Sequence, residues 1–156
     1  MPPEGMEIPS EYLADMEDTR RRLRKMAGSG GLEIVFSGKI PNSRTALEAT
    51  EYACAKGRGD EFHKAVFDRL YCEGRDIGNW EVLGDAALAA GLDPDEMKRS
   101  VRRGDYSAVL DEKLEEAAAR GIKAVPTFII NGRYRIVGAQ TWDVFEQAIA
   151  EAESGD

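Results

Sequence analysis

The chain has 156 residues, 42% of them hydrophobic and 32% charged, enough for one domain with a subdomain and a buried core. That balance excludes disordered and fibrous classes. Lys and Arg total 21 against 29 Asp and Glu, a formal charge of −8, which opposes broad attraction to phosphate backbones or anionic lipid, so neither nucleic acid nor a membrane is an expected partner.

The opening residues Met1-Pro2-Pro3-Glu4-Gly5-Met6-Glu7 carry neither the basic nor the apolar part of a secretory signal. No apolar run approaches the roughly 20 residues that span a bilayer. With Met1 taken as the start, a cytoplasmic protein with reduced thiols is expected.

Glu11 to Ala27 has helical periodicity in Tyr12, Leu13, Met16, Leu23 and Met26, with Ser10 as the expected N-cap and Gly28-Ser29-Gly30-Gly31 as a linker. Within it, Glu17 and Asp18 stand four residues before Arg21 and Arg22, so the basic run there reads as a solvated, ion-paired face. Leu32 to Phe36 alternates and reads as extended. From about Pro41 the chain turns helical, with helices expected at 43–56, 61–72, 80–90, 94–102 and 106–120. Asp93-Pro94-Asp95-Glu96 is the clearest start signal: a capping carboxylate, a pre-set φ at N1 and an acid at N3. It lacks the ligand spacing of a calcium loop.

The pattern changes after Gly121, a natural C′ residue. Val125 to Ile130 and Arg133 to Val137 are β-rich and flank Asn131-Gly132, whose tolerance of positive φ marks a tight hairpin. Thr141 is the expected cap of a last helix with Trp142, Phe145, Ala148 and Ile149 on one face. Pro126 opens the first strand although it has no N–H for a ladder, which confines it to an edge, a bulge or a first position.

A helix ending in Gly, then Ala124-Val125-Pro126-Thr127-Phe128, a hairpin and a closing helix resembles the C-terminal half of a thioredoxin fold, whose hairpin begins with a cis-proline. "PPEGM", "PNSRTA", "EGRDI" followed by Leu83, "GLD", "GIKAVPTFIINGRYRIVGAQ" and Phe145 occur in the order of the DsbA-like, FrnE-type thiol-disulfide oxidoreductases, over nearly the whole chain. The resemblance implies an α/β protein, an incomplete thioredoxin-like fold with an inserted α-helical subdomain. Residues 1–40 would be a remnant of the N-terminal thioredoxin part with a connecting helix, 41–106 the insertion and 107–156 the C-terminal thioredoxin half. It also implies that Val125 and Pro126 hold a client chain opposite the redox cysteines, with Thr127 and Gln140 lining the same end. β-augmentation of this kind takes affinity from the main chain and tolerates varied side chains. The partners implied are cysteine-containing proteins or thiol substrates, with no cofactor.

The Cys-x-x-Cys of such enzymes sits at a helix N-terminus, where the macrodipole stabilises a thiolate, and this sequence has none. Cys54 and Cys72 are the only cysteines. Both fall near expected helix C-termini, and on antiparallel neighbouring helices those ends lie about 18 Å apart, beyond the roughly 7 Å Cα separation a disulfide spans. No catalytic residue is therefore assigned, and the chain alone is expected to be inactive. The family's β-α-β segment, which needs about 30 residues, would precede "PPEGM", so a truncated oxidoreductase is expected, with a homodimer as one way to fill the uncovered sheet. His63, the only histidine, reads as partly buried and structural, and no metal site is expected.

Two alternatives stay open. One is a non-catalytic peptide-binding module. The other is a protein similar to glutathione-dependent 2-hydroxychromene-2-carboxylate isomerases, which share the insert-bearing fold. Those enzymes carry Gly-x-Asp-Arg after the hairpin, where this chain has Gly138-Ala139-Gln140-Thr141. Within the oxidoreductase branch, Ala46-Leu47 stands where Ala-His is expected.

Overall fold

A computed structural model describes residues 2 and 4–154. It divides into two compact units, 1–110 and 111–156, with the division inside one helix.

The first unit opens with β1 (Met6–Glu7), α1 (Ser10–Ser29) and β2 (Lys39–Ile40), β1 pairing antiparallel with β2 through Met6↔Ile40 and Glu7↔Lys39. Neither strand is legible in the sequence at two residues each. Pro9, not Ser10, occupies the cap position of α1, and the helix continues through Gly28 and Ser29 to Gly30. The expected linker is thus mostly helix, closed by the Leu32 N–H donating to the Ala27 carbonyl at 3.0 Å. Residues 32–36 form no strand; the Val35 N–H is held instead by the Tyr71 carbonyl at 2.7 Å. The ion pairs on α1 also differ from the expected spacing, joining Asp18 to Arg21 and Glu17 to Arg24 at 3.3 Å.

Four helices build the core of this unit: α2 (Arg44–Ala55), α3 (Gly59–Phe67), α4 (Trp80–Ala89) and α5 (Pro94–Arg102). Ala46, Ala49 and Ala53 on α2 and Ala86, Ala87 and Ala90 on and after α4 are small enough for close helix approach around Tyr52, Phe62, Leu83 and Met97, all fully buried. Tyr52 meets Tyr106 edge to face at 5.9 Å, the arrangement ring quadrupoles favour. Buried Glu48 is compensated by Arg44 at 3.2 Å and by the Ser107 hydroxyl at 2.9 Å. Asp93 caps α5 as expected, accepting from the N–H groups of Asp95 at 2.8 Å and Glu96 at 3.0 Å. Those backbone bonds hold its carboxyl below the usual aspartate range. The expected helix 61–72 is α for its first part only: Asp68–Cys72 is a π turn, with the Glu73 N–H reaching back to the Asp68 carbonyl at 3.0 Å.

Three of the sequence motifs converge here. Gly5 of "PPEGM" has φ +77 and lies so close to β2 that a Cβ would sit 2.5 Å from the Ile40 carbonyl oxygen. Asn42 of "PNSRTA" donates to the Pro2 carbonyl at 3.0 Å and its side-chain oxygen accepts from the Arg44 N–H at 3.0 Å. Asp76 of "EGRDI" meets the Lys39 ammonium at 2.5 Å and the Gly78 N–H at 2.8 Å. Burial pushes the Asp76 pKa up, but these two contacts outweigh it and leave the group below its ordinary value.

The second unit holds most of α6 (Ser107–Ala119), β3 (Thr127–Ile130), β4 (Tyr134–Val137) and α7 (Trp142–Ser154). The hairpin register is Thr127↔Val137, Phe128↔Ile136, Ile129↔Arg135 and Ile130↔Tyr134. Its turn uses Asn131 at φ 49 and Gly132 at φ 68, as the dipeptide predicts. Alternation sends Phe128, Ile130, Tyr134 and Ile136 to one face. There Phe128 meets Phe145 of α7 edge to face at 4.9 Å, and the Tyr134 hydroxyl donates to the Glu151 carbonyl at 3.1 Å.

Candidate functional site

Gly121, at φ +66, ends α6: its own N–H donates to the Ala118 carbonyl at 2.9 Å and the Ile122 N–H to the Ala117 carbonyl at 3.0 Å, the pair of bonds a Schellman ending requires. Arg135 of β4 then anchors the departing chain, its guanidinium donating to the carbonyls of Gly121 at 3.2 Å and Arg120 at 2.5 Å. This anchor is not evident from the sequence, because the register that places Arg135 beside the loop depends on the hairpin pairing.

The loop enters β3 through a cis Val125–Pro126 peptide bond. The Pro126 carbonyl accepts from the Gly138 N–H at 2.8 Å, so the hairpin ladder extends one residue beyond Thr127. On the other side of the bond, the Thr127 hydroxyl donates to the Ala124 carbonyl at 2.6 Å. Val125 lies between these two fixtures. It is 89% exposed, and among the described residues no hydrogen bond engages its N–H or C=O. Gln140 folds back toward the hairpin, its amide donating to the Val137 carbonyl at 2.9 Å, which leaves its side-chain oxygen as the polar atom still open. The structure thus gathers Val125, Pro126 and Thr127 along one backbone lip and ties Gln140 to the neighbouring strand.

The remaining candidates lie in the first unit. Cys54 near the end of α2 and Cys72 at the end of the π turn are both exposed and free, and neither stands at a helix N-terminus. His63 is exposed, contrary to the partly buried position expected from its apolar neighbours; its ring lies against Phe67 at 4.4 Å. Among the described residues no group of three or more His, Cys, Asp or Glu could hold a metal ion, and no helix is long and apolar enough to cross a membrane.

Residues 3–150 match the family model of the DSBA-like thioredoxin domain. The chain belongs to that family, and its mostly helical build with two small sheets matches a DsbA-like thioredoxin fold with a helical insertion. Among curated relatives, uncharacterized protein YwbO of Bacillus subtilis is 33% identical over 98% of this chain and 80% of its own length. The thiol:disulfide interchange protein DsbA of Azotobacter vinelandii is 25% identical over 52% of this chain and 38% of its own. A crystal structure of a probable DsbA oxidoreductase from Streptomyces coelicolor superposes with a TM-score of 0.80 at 24% identity, covering 96% of this chain and 66% of that one.

Proposed function

We propose that the lip Val125-Pro126-Thr127 is the client-binding edge of a cytoplasmic DsbA-family thiol-disulfide oxidoreductase acting on cysteine-containing proteins or thiols. These 156 residues hold no Cys-x-x-Cys, so the reading concerns the client-binding half of such a site. One observation carries this reading: Val125 is 89% exposed, and among the described residues its N–H and C=O stand outside the hydrogen-bond network of the hairpin they border. An extended client chain can pair with both groups, gaining main-chain affinity without side-chain selection. In the complete enzyme a thiolate attacks one sulfur of a client disulfide, the S–S electron pair leaves on the other sulfur, and a mixed disulfide forms. A second thiolate then attacks that bond, so the client is reduced as the enzyme's own pair is oxidised.

The lack of Cys-x-x-Cys favours a second reading for the chain by itself, a peptide-binding module without turnover. A second copy pairing along the open hairpin edges would give a homodimer of that module. The glutathione-dependent isomerase reading is weakened where Asp and Arg would be needed, because Gln140 and Thr141 stand there and the Gln140 amide is already bonded to Val137.

Titration of the isotopically labelled chain with a short extended peptide containing one reduced cysteine tests the binding edge. Amide shifts centred on Val125, Thr127 and Gln140 are expected, and shifts confined to the first unit, or none, overturn the assignment. In a protein-disulfide reduction assay the chain is expected to show no turnover, and Cys54→Ser with Cys72→Ser to change nothing. Turnover that either substitution abolishes would move the chemistry to those thiols.

A further inference from the structure

Lys98 and Arg102 lie one turn apart on α5, and both converge on the ring of Trp80, the first residue of α4. The Lys98 ammonium is 5.7 Å and the Arg102 guanidinium 5.5 Å from its centroid. Like charges at this spacing repel along a helix; the negative face of the indole offsets that repulsion. Neither cation has an ion pair or hydrogen bond among the described residues, although Asp95 lies three positions before Lys98 and Glu81 adjoins Trp80. Other cations of this unit behave differently: Lys56, Arg58, Lys64, Arg69, Arg75 and Arg103 each hold a carboxylate, and Arg99, between the two on α5, acts on Asp93 through its charge. The macrodipole accounts for a cation in the last turn of α5, but not for two side chains drawn to one ring with no counter-charge.

We propose that Trp80, Lys98 and Arg102 form a docking surface for an extended acidic segment of a partner protein, a role separate from client binding at the Val125 edge. Charge complementarity identifies the occupant. Two positive charges without a carboxylate of their own, on a chain of net charge −8, recruit carboxylates from outside. Spacing narrows the segment. Residues four apart on a helix rise about 6 Å, and side chains on one face of an extended strand repeat every 7 Å or so, so acids at alternate positions, Glu-x-Glu or Asp-x-Asp, meet both cations at once. Arg102 offers a fork to one carboxylate and Lys98 a point charge to the other. The half-buried Trp80, packed against the core, holds both cations at the surface where a segment would meet them.

Trp80 and Trp142 are the only tryptophans, so in the Trp142→Phe chain Trp80 alone reports binding. Titration with the pentapeptide Glu-Ser-Glu-Ser-Glu is expected to change Trp80 emission saturably, with an affinity that falls as salt is added. Lys98→Gln with Arg102→Gln is expected to weaken it about tenfold, the size that two exposed ion pairs sum to, and Lys98→Arg to preserve it. Circular dichroism of the variants confirms that the helices persist. The proposal is overturned if no saturable change appears or if the double Gln variant binds equally well. Inorganic phosphate giving the same response at equal concentration also overturns it, by marking a general anion site.

Discussion

At the scale of single residues, glycine placement explains how the chain at Gly5 lies against β2. Gly5 combines a positive φ with contact against the Ile40 carbonyl, whereas Gly132 in the hairpin turn has a similar φ of +68 and nothing within 4 Å of where a Cβ would stand. Alanine at Gly132 pays only the conformational penalty; alanine at Gly5 must also push β2 away. Urea denaturation is expected to show Gly132→Ala losing about 1 kcal/mol and Gly5→Ala about 2–4 kcal/mol. Equal losses would show that contact with the Ile40 carbonyl does not matter. Val125 illustrates the opposite case, a residue whose side chain does little for the fold while its backbone borders the candidate site.

At the scale of elements, the start of α5 depends on one ionised side chain. The Asp93 carboxyl accepts two backbone N–H groups, which lowers its pKa in the folded chain. A lowered pKa means that its contribution is present above the unfolded aspartate value and is lost as pH falls through the folded value. Asp93→Ala is therefore expected to lower the urea midpoint at neutral pH, and the gap from the parent chain to close in acid; a gap independent of pH would assign the loss to something other than the charged cap. This helix was fully legible, Pro94–Arg102 being both expected and observed, because cap, proline and first-turn acid all point to the same start. The hairpin was legible for a similar reason, its Asn-Gly turn fixing the register of both strands. The β1–β2 pair was not, since two-residue strands leave no periodicity and are held by contacts distant in sequence. Nor was the binding lip fully legible: Pro126 drew attention to it, but the roles of Arg135 and of the Gln140 amide depend on which strands face each other.

At the scale of the whole molecule, the second unit leaves apolar surface open. Ile129 is 37% and Val137 47% exposed on the hairpin face turned away from α7, Trp142 is 68% exposed, and β3 and β4 have each other as their only strand partners among the described residues. Such edges and faces invite pairing with another chain. Sedimentation velocity is expected to show concentration-dependent self-association that Ile129→Lys reduces, whereas a monomer at every concentration would show that the hairpin needs no neighbour. In the first unit, the π turn at Asp68–Cys72 carries a different implication. A wide turn accommodates one residue more than regular α-helix would, so the surplus is absorbed locally and losing one residue there would let the turn close to α geometry with its flanks nearly in place. The Arg75 guanidinium, 2.8 Å from the Asp85 carboxylate, and the Asp76 carboxylate on Lys39 would both stay within reach. The π turn thus buffers the "EGRDI" loop against a one-residue loss, whereas the same loss inside α3 would turn everything that follows by about 100°.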